Sequence, residues 1–374
     1  MAPDHKVRHD WENTRLITDA EFFFQQLLDA IAAARFSIDF EYYIFNADML
    51  GERFIVALSE AAGRGVRVRV IMDGLGSSQD SLGIARRLSA AGAQIKIYHP
   101  LPWLTGAYRW SRFRAGWMFK FFLFVLNINR RNHRKLCIVD SNKAWVGSYN
   151  ITQHHLPRSQ GGGGWRDCAV ALQGDGVSAL VQGFELFWER QKPRFHSGFI
   201  RRHLSNRSLR ARRLKNRFVA RSVENAQRRV WLVSAYFAPT ARFRRALLRA
   251  CRGGAEMRLL LPNYSDVAPF PGLSVHYYRE LLAAGARIFL YEPSVMHAKA
   301  LLIDDFFIVG SSNWNYRSTI HDLELDVIIR EEEPLCALRD MILEDCRHSL
   351  ELTLERLPAR SLRSWLWYLF RYWM

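Results

Sequence analysis

"NHRKLCIVD", residues 132–140, places a histidine and a lysine at the head of an apolar, strand-like run and an aspartate at its end. "HAKALLIDD", residues 297–305, repeats the arrangement: His297, Lys299 and Asp304 have the spacing of His133, Lys135 and Asp140. Ionisable side chains on a buried strand are costly unless they are paired or used. A lone histidine in such a strand is ordinarily a satisfied core residue. Here each copy also leads, through another short strand, to Gly-Ser-x-Asn: "GSYN" at 147–150 and "GSSN" at 310–313. A pattern of this length, repeated in equivalent places, marks a duplication.

The rest of the chain repeats as well. "FSIDFEYYIF" (36–45) reads as a strand, followed by a helical stretch with a Gly stop, the alternating strand "VRVRVIMDG" (66–74), a second helix and the strand "QIKIY" (94–98). "RRVWLVSAYF" (228–237) begins the same series again, and "ELLAAGARIFLY" (280–291) echoes "RLSAAGAQIKIY" (87–98). The halves differ in one place. Tyr98 precedes His133 by 35 residues and Tyr291 precedes His297 by 6, so the first half carries about 29 extra residues before its motif. The expected fold class is α/β: two pseudo-symmetric lobes, each a mixed β-sheet flanked by helices. The lobes are expected at 1–205 and 206–374, joined in the Arg-rich stretch around 195–225.

Lys and Arg number 53 against 36 Asp and Glu, a net charge of +17 that attracts polyanions, either nucleic acid or an anionic membrane surface. Thirteen of the basic residues fall between Lys192 and Arg229, a stretch that reads as a basic linker able to contact anionic headgroups. Two apolar segments are too short to span a bilayer but suit its interface: "GWMFKFFLFVLNI" (116–128), flanked by arginines, and "SWLWYLFRYWM" (364–374). The start of the chain is polar, so no signal peptide is expected. The five cysteines are scattered, without metal-ligand spacing, and read as reduced thiols. "GGGG" (161–164) reads as a flexible loop. It lacks the Lys-Ser/Thr of a phosphate-cradling loop, so it implies no nucleotide site.

Two copies of the motif in one cavity would supply two imidazoles, two ammonium groups and two Ser/Asn pairs. Imidazole serves as nucleophile and as acid–base near neutral pH. Lysines and amides suit the non-bridging oxygens of a phosphate. The set points to phosphodiester exchange without a metal or other cofactor, with Ser148, Asn150, Ser311 and Asn313 as candidate phosphate ligands.

The duplicated H-x-K-x4-D with G-S-x-N resembles the phospholipase D superfamily over most of the chain, and within it the short bacterial cardiolipin synthases. "DGLGS" (73–77), "WRDCAVALQGDGV" (165–177), "AYFAP" (235–239) and "GSSNWNYRS" (310–318) carry further likeness. The resemblance implies a two-lobed fold with the active site at the lobe interface, and His133 as nucleophile forming a phosphohistidine. It implies His297 as acid–base, Lys135 and Lys299 beside them, and Asp140 and Asp304 anchoring the motif. It further implies an acid orienting each imidazole, with Asp167 matched to His133 and Glu324 to His297. The implied reaction is phosphatidyl transfer between phospholipids, with phosphatidylglycerol as the simplest donor and acceptor and no nucleic-acid partner. Hydrolysis of phospholipid or nucleic acid is the alternative outcome of the same site. The implied location is peripheral, at the cytoplasmic face of a bacterial inner membrane. The chain departs from the pattern at Asn315, where Asp is usual, and at Asp322, where Asn is usual.

Overall fold

The computed structural model of the chain describes residues 11–103, 107, 109, 130–189 and 202–372. The apolar segment 116–128 and the start of the basic stretch, 192–201, lie outside them.

Strands β2 (Ser37–Tyr42), β3 (Arg67–Asp73) and β4 (Gln94–Tyr98) run parallel. Parallel neighbours need crossovers, which helices α2 (Met49–Gly63) and α3 (Ser81–Ala90) provide. Asp48 caps α2 by accepting from the backbone N–H of Leu50 and Gly51. The sheet continues antiparallel through β5 (Leu136–Val139), β6 (Lys143–Gly147), β7 (Ala169–Gln173) and β1 (Asn13–Ile17), in the order β1-β7-β6-β5-β2-β3-β4. Helix α1 (Ala20–Ala33) packs Phe23, Phe24, Leu27 and Ile31 into the outer core with Phe40 of β2 and Phe54 of α2.

The second sheet repeats this plan. Parallel β9 (Arg229–Val233), β10 (Glu256–Pro262) and β11 (Arg287–Tyr291) are joined by α6 (Ala241–Arg252) and α7 (Pro269–Ala283). Antiparallel β12 (Ala300–Ile303), β13 (Phe306–Gly310), β14 (Leu325–Ile329) and β8 (His203–Ser205) complete the match, and β15 (Ser349–Leu352) adds an edge beside β11. Strand β8 lies just before the expected join at 205/206 yet pairs with β14 of the second sheet.

Between the sheets lies a shared apolar layer. Leu136, Ile138 and Val146 of one sheet and Trp231, Val233 and Val309 of the other belong to one buried cluster. Helices α4 (Val177–Trp188) and α9 (Glu332–Arg347) sit in it, α4 touching β5 and β8, α9 touching β1 and β11. Each buried Leu or Val contributes about 1.5–3 kcal/mol, so this layer fixes how the two half-sites face each other.

Two sequence expectations need correction. The basic stretch is not a linker where it is described: residues 209–224 form helix α5 (Leu209–Glu224), capped by Ser208, with Lys215, Val219, Ala220 and Val223 buried. Its apolar stripe docks on the second lobe, while Arg213, Arg217 and Arg221 stay exposed. The "GGGG" run is not a slack loop either. A Cβ on Gly162 would lie 2.0 Å from the carbonyl oxygen of Leu156, so close backbone packing demands the glycine. The C-terminal segment forms α10 (Leu362–Leu369), held on α7 through Ser364, Trp367 and Tyr368. Leu362, Trp365, Leu366 and Leu369 remain exposed on its surface.

Candidate active site

Each motif sits where its strand leaves the sheet. Asp140 and Asp304 end β5 and β12 in tight hairpin turns at φ 50° and 45°, a left-handed conformation that Asp tolerates. The Asp140 carboxylate accepts from the backbone N–H of Arg35, Phe36 and Ser37, and that of Asp304 from Gln227, Arg228 and Arg229. Burial pushes each carboxyl up, but these three N–H groups outweigh it and hold both below the usual carboxylate range. Neither aspartate reaches the histidines. Both tie the motif strand to the segment entering the neighbouring strand.

The other ends of the motifs meet across the lobes. The Asn132 segment runs in parallel bridge with Leu323, and His133 N donates to Leu323 O at 2.9 Å. Arg166 bridges to Met296 in the same way, and its carbonyl accepts from His297 N at 2.8 Å. Each motif is therefore stitched to the acid-bearing segment of the other lobe. Buried acids beneath it reinforce the first: Asp73, from "DGLGS", accepts from Arg131 and from Asn132 N, and Glu41 accepts from Asn132 Nδ2.

This crossing corrects the expected pairing of acids. His133 Nδ1 lies 3.1 Å from Glu324 Oε2, not beside Asp167, and 3.0 Å from the carbonyl of Ser311. His297 Nδ1 lies 2.6 Å from Asp167 Oδ2, not beside Glu324. Both acceptors at His133 are oxygens, so Nδ1 carries the proton and Nε2 keeps its lone pair. Burial first, then the Lys135 ammonium, lowers His133 to about 4, and burial and Lys299 likewise lower His297. Burial alone would raise the two acids. The imidazole opposite each and the nearby lysines overcome it, holding Glu324 at about 2 and Asp167 well below the usual range. Both dyads thus rest as neutral imidazole on anionic carboxylate.

The lysines lie beneath the imidazoles. Lys135 Nζ donates to His133 O at 2.7 Å, and Lys299 Nζ to His297 O at 2.6 Å. Lys299 Nζ is also 3.2 Å from His297 Nε2. Burial, then repulsion from Lys299, lowers Lys135 to about 7, and burial lowers Lys299.

The Gly-Ser-x-Asn turns serve the carboxylates more than the cavity. Ser148 donates to Asp167, and Ser311 to Glu324. The expected phosphate role of these two hydroxyls is therefore corrected: carboxylates this deeply buried need donors, and the serines supply them. Asn150 and Asn313 do line the cavity, about 340 Å³ in volume, together with His133 and His297. Gly147 and Gly310 permit the turns, since a Cβ would lie 2.4 Å from Ala169 Cβ or 2.3 Å from Leu325 O.

Several site residues escape the motif reading. His155 Nε2 accepts from Asn150 N at 3.1 Å, and its Nδ1 lies 3.3 Å from Asp167 Oδ2. Ser318 takes the same place in the other half: its Oγ accepts from Asn313 N at 3.0 Å and donates to Glu324 Oε1 at 2.5 Å. Both stand five residues after the motif asparagine, the one signal that could have exposed them. His155, Asp167 and His297 bring ligand atoms within 4.8 Å of one another, a set of metal-ligating type in which the Asp167 oxygen is already engaged by His297 Nδ1. Tyr43 packs against His133 with ring centroids 4.8 Å apart, and Tyr236 stands 6.3 Å from His297. The two departures also fall here. Asn315 caps α8 (Tyr316–Ile320), accepting from Ser318 N, while Asp322 lies 3.2 Å from Arg317 Nε. Burial raises Asp322 to about 7.

A family model described as cardiolipin synthase, phospholipase D-like domain, matches residues 27–161 and again 219–344, one copy per half-site. The chain belongs to this family. The cardiolipin synthase of Listeria innocua is 29% identical over 381 residues, covering 97% of this chain and 74% of that protein. The major cardiolipin synthase of Bacillus subtilis is 29% identical over 375 residues, with 96% and 74% covered. Among solved structures, phosphatidylserine synthase of Haemophilus influenzae superposes with a TM-score of 0.69 at 11% identity, covering 97% of this chain and 96% of that one, a likeness of fold.

Proposed function

We propose that His133 and His297 exchange phosphodiesters through a phosphohistidine, and that the crossed pair of histidine–carboxylate dyads facing one cavity is the observation that carries the reading. The chain is a phosphatidyltransferase of the cardiolipin synthase type. Phosphatidylglycerol is the proposed donor and acceptor.

In the first step His133 Nε2 attacks phosphorus. The N–P bond forms, the P–O bond to the departing glycerol breaks, and His297 gives that oxygen its proton. In the second step the hydroxyl of another phosphatidylglycerol yields its proton to His297. Its oxygen bonds phosphorus, the N–P bond breaks, and His133 is regenerated. Two phosphatidylglycerols become cardiolipin and glycerol. The first step requires a protonated His297, whereas burial and Lys299 keep it neutral in the empty site. An anionic phosphate entering between the lysines offsets their repulsion and raises the proton affinity of His297, Lys135 and Lys299 together. Asn150 and Asn313 are assigned to the non-bridging oxygens beside the lysines. Lys299 Nζ occupies the lone pair of His297 Nε2, and this supports His133 as nucleophile.

Among the described residues no helix is long and apolar enough to cross a membrane. The exposed apolar side chains of α10 and the arginines of α5 are assigned to an anionic membrane surface, on the cytoplasmic side of a bacterial inner membrane. Vesicles of radiolabelled phosphatidylglycerol test the reaction: cardiolipin and free glycerol are expected. Phosphatidic acid as the main product would convert the reading to hydrolysis, and no turnover would refute it.

A further inference from the structure

A second cavity of about 350 Å³ opens on the face of the second lobe, between α5, α6 and α8. Its floor is apolar: Val219, Phe243 and Trp314, the last two stacked with ring centroids 4.8 Å apart. Exposed Arg213, Arg217 and Arg242 ring its mouth, and none of them is ion-paired among the described residues. Among the described residues no carboxylate lines it. Among the described residues the indole N–H of Trp314, a residue 92% buried, is a donor without a hydrogen-bond partner. The Asn313 side-chain oxygen, in a residue 94% buried, is likewise an acceptor with no donor among the described residues. Buried polar groups are left unpaired at a cost, so such a site fits a ligand that supplies the missing partner.

The cavity adjoins the catalytic one. Asn313 and Ser318 line both, and Ser318 holds Glu324. Resting on the transferase reading above, we propose that this second cavity binds the acceptor phospholipid. The acceptor's own phosphate lies against the arginines and the Trp314 N–H, the first part of its acyl chains covers the apolar floor, and its terminal hydroxyl reaches past Asn313 to the phosphorylated histidine. A phospholipid acceptor carries its phosphate only three glycerol carbons from the reacting hydroxyl. Cardiolipin synthesis therefore needs an anion site next to the catalytic cavity, and water or a small alcohol needs none. Ile320, 44% exposed at the rim, and Tyr316, which packs against Tyr372 just after α10, connect the cavity to the surface assigned to the membrane.

The test uses the full chain and dihexanoyl phosphatidylglycerol below its micelle concentration, so that membrane recruitment plays no part. Two acceptors are compared: the lipid itself and added ethanol. In the variant Arg213→Ala/Arg217→Ala/Arg242→Ala, transfer to the lipid should fall about a hundredfold, given about 1 kcal/mol for each basic residue near an anionic headgroup. Transfer to ethanol should stay within about twofold of the unaltered chain. Trp314→Phe, which removes the N–H donor and trims the apolar floor, should give a smaller loss on the lipid arm alone. Equal losses on both arms, or no loss on either, would overturn the proposal. A parallel binding measurement uses the inactive His133→Ala chain and the same lipid by calorimetry. Two equivalents are expected, and one after the three arginine changes; an unchanged stoichiometry overturns the proposal. Displacement of the lipid by a single-stranded oligonucleotide at lower concentration would assign the cavity to nucleic acid and overturn it too. If the lipid binds as described and the unaltered chain forms no transfer product, the transferase reading falls while the lipid site stands.

Discussion

The two half-sites share a backbone plan and differ in what stands behind each carboxylate. Glu324, which orients His133, is held by two hydroxyls, Ser311 and Ser318. Asp167, which orients His297, is held by one hydroxyl, Ser148, and faces a second imidazole, His155. The difference extends to the histidines themselves. His297 Nε2 is met by Lys299, whereas Lys135 turns to the backbone of His133. A duplicated scaffold thus presents one imidazole with an open lone pair and another already engaged by a proton donor. Symmetry of fold leaves room for a division of labour at one site.

The strongest challenge to that division removes the imidazoles. His133→Ala and His297→Ala should each cut turnover by at least about a thousandfold, since each step needs both. Only His297→Ala should still accumulate a phosphohistidine, read by mass spectrometry of acid-free digests. Accumulation in His133→Ala instead would reverse the roles. Next come the acids. Glu324→Gln and Asp167→Asn should each lower kcat by about 10²–10⁴, because an amide can hold the wrong tautomer. Glu324→Gln should suppress formation of the intermediate by disabling the nucleophile, while Asp167→Asn should still form it, with both its formation and its consumption slowed. The opposite pattern would restore the within-lobe pairing that the chain order implies.

A smaller effect is expected from the backing groups. His155→Ser, which copies the Ser318 arrangement, should reduce turnover about tenfold and raise the steady-state intermediate; a purely structural role would lower both together. Acidification probes the same contrast. His133 titrates at about 4 in the folded chain and near 6.5 when unfolded, so the folded state binds fewer protons between these values. Stability that depends on neutral His133 is complete above pH 6.5 and lost as pH falls through 4. His133→Gln should flatten that part of the thermal-melt profile. The least effect on turnover belongs to the motif aspartates. Asp140→Ala and Asp304→Ala should each cost about 2 kcal/mol of stability through lost N–H acceptors, seen in the denaturant midpoint. Activity per folded molecule should hardly change, and a large loss would place these carboxylates in the chemistry.

Much of this was legible in residue order. The duplicated motif named both histidines and both lysines, and the echo of 87–98 at 280–291 announced the two mixed sheets. Hydrophobic alternation and Gly stops sufficed because they report local periodicity, which a strand or helix imposes on its own side chains. The serines were misjudged for the opposite reason. A hydroxyl beside an active-site asparagine is chemically fit for phosphate, and only the position of Asp167 and Glu324 reveals the buried carboxylates that claim it.

The sequence alone determined that this chain is a doubled α/β scaffold with a His-Lys pair in each half, because spacing and repetition are properties of the chain. The tertiary structure decided which acid serves which histidine. Each acid follows its own motif in the chain, so residue order favours pairing within a lobe. The parallel bridges Asn132–Leu323 and Arg166–Met296 cross the interface instead and exchange the acids between lobes. Those contacts exist only because the shared apolar layer presses the two sheets together, and no local sequence signal encodes a partner some 190 residues away.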